Sequence, residues 1–376
     1  MKISLLITGD FCPHLNDLDD NSFEDIKDIL SGHDLIITNL ECALKYKDEK
    51  PIIKEGPSLY SNEEQLKYIT CYGKTLFTIA NNHTLDYGYE GFNNIIDYCK
   101  NNSVEFVGGG KNSEEASKPF YFEKDKCKIA IINCCEQEFS IAGDMTSGAN
   151  PMEPIKIYNQ IQQAKNKASI IILIAHGGHE YYQLPSPRLQ ENYRFFIDAG
   201  ANAVVGHHPH CISGMEEYKD GIIFYSLGNF YFNNKNRDRS VWNEGFCLNI
   251  KIDSVAQKIS TYEKIPYVQC YNNNKILKLR EPDLSIFNNK FDELSSIIVD
   301  DMRLNEKYCK YKKSQERKAI SRILPYTNRY LVALYKRGYL PSLLSRKDLA
   351  TRLNAVRCES HRELLISALN KKYLKK

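Results

Sequence analysis

Short apolar runs alternate with polar corners through most of the chain. Continuous β-rich runs occupy residues 3–8, 34–38, 75–80, 128–133, 169–175, 203–205, 222–226 and 246–252. Stretches with helical apolar spacing lie between several of them, at 23–30, 63–69, 91–100, 155–167 and 189–199. Strands that are apolar throughout are covered on both faces, and their alternation with helices predicts an α/β domain. From residue 222 to about 268 strand runs follow one another without an intervening helix, which predicts that part of a sheet is antiparallel.

The polar stretch 271–278 reads as a boundary, and beyond Phe287 the pattern turns helical. Apolar stripes with basic flanks run over 291–312, 314–324, 328–337 and 361–369, with Pro325 and Pro341 as interruptions. On this reading the chain divides into a body, residues 1–285, and a helical region, residues 286–376.

Composition alone is unremarkable. The chain has 376 residues, 42% apolar and 26% charged, which excludes collagen-like, coiled-coil and largely disordered classes. Charge distribution changes the picture. Residues 301–376 hold 20 Lys/Arg against 6 Asp/Glu, a net of +14, and the other 300 residues hold 30 against 41, a net of −11. The total of +3 is the sum of an acidic body and a basic tail, a split that suggests two jobs.

Twelve cysteines show no CxxC pair, and Cys134 and Cys135 are adjacent. This predicts reduced thiols in a reducing compartment. The apolar stretch after Met1-Lys2 is too short for a signal peptide, and the longest apolar run, 168–175, is too short to span a bilayer. The expectation is a cytoplasmic protein whose basic tail is available to the inner-membrane surface.

The chemistry-bearing residues sit where the strands end, the usual ligand-binding edge of an open α/β sheet. Asp10 ends the first strand, Asn39 and Glu41 the second, and Asn81-Asn82-His83 the third. His176, His179 and Glu180 follow the fifth, His207-His208-Pro209-His210 the sixth, and Asn229 the seventh. Five of the nine histidines fall between residues 176 and 210. Imidazole and carboxylate converging from separate strands form a mixed N/O metal site, suited to Zn, Mn, Fe or Ni rather than Ca or Mg. Taken singly, Gly9-Asp10 could be a helix cap or turn, Asn81-Asn82-His83 an Asx turn, and Cys12 and Cys211 small buried hydrophobes.

As an ordered set these motifs resemble a family. Gly9-Asp10, Asn39-Leu40-Glu41, Ala80-Asn81-Asn82-His83 with Asp86-Tyr87-Gly88, Gly206-His207-His208-Pro209-His210 and Tyr225-Ser226-Leu227-Gly228-Asn229-Phe230 are similar to those of the CapA family, associated with capsule and poly-γ-glutamate synthesis. Gly108-Gly109-Gly110 to Pro119 and His176 to Glu180 resemble its middle motifs, so the resemblance covers about residues 3–250. That family is similar to calcineurin-like metallophosphoesterases. The resemblance implies a four-layer α/β/β/α sandwich and a site for divalent metal, two ions of Mn, Zn or Fe.

Carried over by position, the resemblance makes Asp10, Asn82, His176, His208 and His210 metal ligands, and Glu41 or Asn39 the bridging group. It makes His83 the acid for a leaving group, with His179 and Glu180 beside it. Asn81, His207 and Asn229 become candidates for substrate binding. Three positions depart from the pattern. Cys12 stands at a usual His, Asn39-Leu40-Glu41 replaces Gly-Asp, and Gly177 replaces a common Trp.

The resulting expectation is a metal-dependent hydrolase of phosphoesters serving synthesis of a surface polymer. The alternative is a non-enzymatic subunit of a polymer synthase or exporter that binds anionic polymer. Capsule-synthesis proteins and an anionic membrane are the expected partners. The tail carries no recognised nucleic-acid motif, which disfavours that class.

Overall fold

The computed structural model describes residues 2–369, apart from 15–16, 47, 234–239, 271–272, 324, 327, 359–360, 363 and 367. Two compact units result, Met1–Asn305 and Glu306–Lys376.

The first unit is built on two sheets. Its fourteen longer strands are β1 (Lys2–Phe11), β2 (Leu35–Leu40), β3 (Thr75–Thr78), β4 (Glu105–Val107), β5 (Phe120–Lys124), β6 (Cys127–Cys135), β7 (Ile170–His176), β8 (Ala203–His207), β9 (Met215–Tyr218), β10 (Gly221–Phe224), β11 (Asn229–Tyr231), β12 (Glu244–Asp253), β13 (Lys258–Gln269) and β14 (Ile276–Lys278). Its helices are α1 (Lys27–Leu30), α2 (Glu63–Thr70), α3 (Gly88–Asn101), α4 (Ser113–Ala116), α5 (Pro154–Lys165), α6 (Pro187–Ala199) and α7 (Asp283–Ile298).

One sheet has eight strands in the order β14-β13-β12-β1-β2-β3-β4, with β11 also pairing β1. Its β1–β4 part is parallel and its β1-β12-β13-β14 part antiparallel, as the helix-free run predicts. The other sheet has six strands, β9-β10-β8-β7-β6-β5, with β6, β7, β8 and β10 mutually parallel.

The two sheets pack face to face. Leu5, Ile7 and Ile37 of one meet Ile131, Ile172 and Val205 of the other in a single apolar layer. The opposite face of the first sheet carries Leu6, Ile36 and Phe77 against Leu66 and Ile69 of α2 and Phe92 and Ile95 of α3. The opposite face of the second carries Ile132, Leu173 and Val204 against Ile157 and Ile161 of α5 and Tyr193 and Phe196 of α6. Alternate side chains of each strand therefore enter different apolar layers, and the result is an α/β/β/α sandwich.

The differences from the sequence pattern have clear causes. Residues 276–278 form β14 on β13, so the sheet continues through the expected boundary; Tyr271 and Asn272 lie outside the described residues. The first unit also runs past residue 285, because Phe287 and Phe291 of α7 enter the layer between the sheets. The apolar stripe over 291–312 is divided between α7 and α8 (Asp301–Ser321), with the break at Val299–Asp300.

The second unit contains most of α8, with α9 (Arg329–Lys336) and α10 (Arg346–Arg357). The stripe 314–320 belongs to α8, and Leu324 lies outside the described residues. Within the stripe 361–369, residues 363 and 367 also lie outside them. The helix α10 carried no sequence expectation. A capping box between Ser345 and Asp348 starts it. No described helix is long and apolar enough to cross a membrane.

Candidate metal centre

The parallel strands of both sheets end at one edge, and this is where the polar side chains gather. Register places Asp10 beside Asn39 on β2 and beside Asn229 on β11. In the other sheet His176 is beside His207. Close backbone approach is needed at the seam. A Cβ on Gly9 would lie 2.0 Å from the Gly228 carbonyl oxygen, and one on Gly206 would lie 2.2 Å from that of Tyr225. His208 and His210 adopt left-handed φ values of 96° and 54°, a strained conformation for non-glycine residues that aims both rings inward.

Two groups of three ligand atoms form here, each within 4.8 Å: Glu41, His176 and His208, and Asp10, Glu41 and His210. Glu41 belongs to both. Its carboxylate is fully buried, and neither oxygen has a hydrogen-bond partner among the described residues. Three imidazole nitrogens surround Oε1 without bonding it: His210 Nε2 at 3.6 Å, His176 Nε2 at 3.7 Å and His83 Nε2 at 3.9 Å. A buried carboxylate without partners costs several kcal/mol unless a cation compensates it. The donor set, carboxylate and imidazole within ligand reach of one point, fits a divalent cation.

The neighbours orient these donors. Asn229 donates its amide hydrogens to the carbonyls of His210 and Trp242, at 3.3 and 3.1 Å. Its Oδ1 is left to accept from His210 Nδ1 at 2.9 Å. That bond fixes the tautomer, so the His210 Nε2 lone pair faces Glu41. Asn39 donates to Asp10 Oδ1 at 2.8 Å, and the same amide nitrogen lies 3.3 Å from His176 Nδ1. Asn82 Oδ1 lies 3.0 Å from His176 Nε2. His208 Nδ1 is also near it, at 3.1 Å.

Electrostatics follow burial. Burial pushes the Glu41 carboxyl well above its usual range, and the Asp10 charge adds to this. Burial would also raise Asp10, but hydrogen bonds from His207 and His210 outweigh it and hold that carboxyl well below its usual range. Burial drives His176 well down, with His208 as the next cause, and pushes His208 down to about 4, with His210 as the next. For His176 and His208 both shifts favour the neutral ring, the form in which an imidazole binds metal.

Other expected residues take different places. Asn39 holds Asp10, and Glu41 supplies the shared carboxylate. Asn81 donates to the Leu40 carbonyl and accepts from the His83 backbone, closing the turn after β3. His207 Nδ1 bonds Asp10 Oδ1 at 3.1 Å. Glu180 lines the cleft above the centre, whereas His179 faces the Tyr182 ring and the charges of Glu136 and Arg188. Cys12, at the departure from the phosphoesterase pattern, is buried, and its thiol is pushed well up by burial and Cys42. Cys211 is a buried small hydrophobe.

His83 stands at the mouth of the centre. Its Nδ1 lies 2.6 Å from Asp86 Oδ2, and Lys54 Nζ is 2.5 Å from Asp86 Oδ1. Lys54 carried no sequence expectation. It sits in an irregular segment, residues 48–59, and nothing in its spacing marks it. Its side chain is only 3% exposed. The Asp86 partner was visible as part of the Asn81–Gly88 motif. A cleft of about 570 Å³ opens over His83 and His210, with Tyr60, Tyr181, Phe232 and Trp242 among its walls. Cavities of about 660 and 720 Å³ lie elsewhere and take no residue from the centre.

Residues 5–234 match the family described as Bacterial capsule synthesis protein PGA_cap. The chain belongs to this family. Among its PGA_cap-like relatives, it is 30% identical over 246 residues to the capsule biosynthesis protein CapA of Bacillus anthracis, covering 61% of this chain and 60% of that one. It is 31% identical over 216 residues to the PGA biosynthesis protein CapA of Bacillus subtilis (strain 168), covering 57% of each. The chain thus spans less than two thirds of the length of these relatives. A Mycobacterium tuberculosis protein described as a probable polyglutamine synthesis accessory protein matches at 21% identity, over 52% of this chain and 54% of that one. Among solved structures, a phosphatase from Mycoplasma pneumoniae matches with a TM-score of 0.43 at 15% identity, over 73% of this chain and 95% of that one. The PGA_cap match spans every residue of the centre, from Asp10 to Asn229.

Proposed function

We propose that the chain is a metal-dependent hydrolase of phosphoesters acting in synthesis of a capsule or a related surface polymer such as poly-γ-glutamate. The observation that carries this reading is Glu41, a buried carboxylate without hydrogen-bond partners among the described residues, shared by two groups of ligand atoms. One group would hold an ion through Asp10, Glu41 and His210, and the other through Glu41, Asn82, His176 and His208. A divalent cation bound there supplies Lewis acidity and a coordinated water of lowered pKa. Mn, Zn and Fe all suit these donors.

The chain's own residues supply the rest. With Asp86 accepting from Nδ1, His83 can pass a proton from Nε2 to a leaving oxygen only as the imidazolium, which burial disfavours and the Asp86 charge favours. Asn229 and Asn39 hold His210 and Asp10 in place. Tyr181 and Trp242 wall the cleft beside the His210 ring.

The test is metal analysis of purified protein, followed by assay with bis-p-nitrophenyl phosphate and a panel of phosphoesters. Bound Mn, Zn or Fe and a turnover lost in His208→Ala support the reading. Protein that binds none of these metals, and whose melting they leave unchanged, refutes it.

A second reading draws on the accessory role in the name of the M. tuberculosis relatives. In it the chain is a non-catalytic subunit of a polymer synthase. Co-purification with synthase subunits that survives combined substitution of Asp10, Glu41 and His208, in protein without turnover, favours it over hydrolysis.

A further inference from the structure

The second unit leaves apolar side chains in water in an ordered pattern. In α10, Leu349, Leu353 and Val356 follow i, i+4, i+7 spacing and so share one face. They are 36%, 53% and 55% exposed. A capping box between Ser345 and Asp348 starts this helix. In α9 the inward position goes to Tyr335, which is 5% exposed and lies against Arg317 and Tyr326. Tyr330, Leu331 and Leu334 remain exposed on the same helix.

Charge surrounds these faces almost entirely with one sign. From Arg317 to Cys358 the chain has ten Lys/Arg and one acidic residue, Asp348. That acid is engaged at the α10 cap. Arg329, Lys336, Arg337, Arg346 and Lys347 are exposed beside the apolar side chains.

An amphipathic helix with exposed Leu and Val on one face and Lys or Arg around it suits the boundary between headgroups and acyl chains. A nucleic acid or a soluble polyanion would satisfy the charges but leave the apolar face in water. We propose that α9 and α10 form a docking surface for an anionic lipid bilayer, with the apolar faces entering the interface and the basic side chains meeting the headgroups. The surface takes no residue from the metal centre and does not depend on its activity.

The test is co-sedimentation of the full chain with vesicles of phosphatidylcholine alone or enriched in phosphatidylglycerol. Binding to the anionic vesicles is expected at low salt, with little to the neutral ones. Each basic side chain near the surface contributes about a fivefold factor in affinity, so Arg346→Gln/Lys347→Gln should weaken binding about 25-fold. Leu349→Ser/Leu353→Ser/Val356→Ser should weaken it at least several-fold, with metal content and the melting of the body unchanged. Three results overturn the proposal: no preference for anionic vesicles, full binding by the triple serine variant, or a wild-type dimer that the triple variant converts to monomer without any lipid binding. A duplex DNA that binds as tightly as the vesicles, insensitive to the serine changes, would assign the surface to nucleic acid instead.

Discussion

His83 Nδ1 meets Asp86 Oδ2 at 2.6 Å, and Lys54 Nζ meets the other oxygen of that carboxylate at 2.5 Å. Asp86 Oδ2 also accepts from the Leu59 backbone, so the carboxylate ties the segment after β2 to the turn after β3. His83→Ala should lower kcat roughly 10²–10⁴-fold, the usual contribution of a positioned acid, while bound metal stays constant. Lys54→Met strands a buried carboxylate and should cost about 3–5 kcal/mol in denaturant unfolding. A Lys54→Met protein as stable as wild type would show that the pair is not a closed buried ion pair.

Glu41→Gln separates metal binding from folding. The ionised carboxylate is unfavourable without a cation, so the metal-free variant should melt no lower than metal-free wild type. Wild type with metal at about a hundred times its Kd should gain about 2.7 kcal/mol, and the variant should gain little. Thermal melts with and without chelator check both halves.

Stability of the metal-free chain should fall with acid. His208 titrates at about 4 in the folded chain against 6.5 ordinarily, because burial and His210 disfavour its charge. Its folded value is depressed, so the unfolded chain binds more protons between those values. The contribution is complete above about 6.5, is lost as pH falls toward 4, and amounts to roughly 3 kcal/mol at most. His176 shifts in the same direction and Glu41 in the opposite one. Chemical unfolding of His208→Asn should therefore show a flatter profile across this window.

Asn229 acts through His210. Asn229→Ala frees the His210 tautomer and should weaken metal affinity about 10–100-fold, as loss of an outer partner commonly does. Competition with a chromophoric chelator measures this, and unchanged affinity would remove Asn229 from the centre.

Phe291 anchors α7 in the layer between the sheets, with Phe246 at 5.5 Å between ring centroids. Phe291→Ala should destabilise the first unit by about 3–5 kcal/mol. A loss of under about 1 kcal/mol would place α7 outside the body's core.

Much of the sandwich was legible because its strands are apolar throughout and its helices keep helical spacing. Residues 128–133 and 169–175 read as buried strands and become the core of β6 and β7. Short strands such as β4 and β14 escaped, since three residues carry no period. The α7–α8 break also escaped, because the apolar stripe continues across it. At the site, ligand types at strand ends were visible, but the hydrogen bonds by which Asn39 and Asn229 hold Asp10 and His210 were not.

Local order, strand ends and the charge split between body and tail are properties of the linear chain, since each depends on residues close in sequence. The shared role of Glu41, the Lys54–Asp86 pair and the Asn229 hold on His210 join separate segments of the chain. Only the packing of the sheets brings those atoms within bonding distance, and bonding distance decides which donors can serve a metal and which can only orient one.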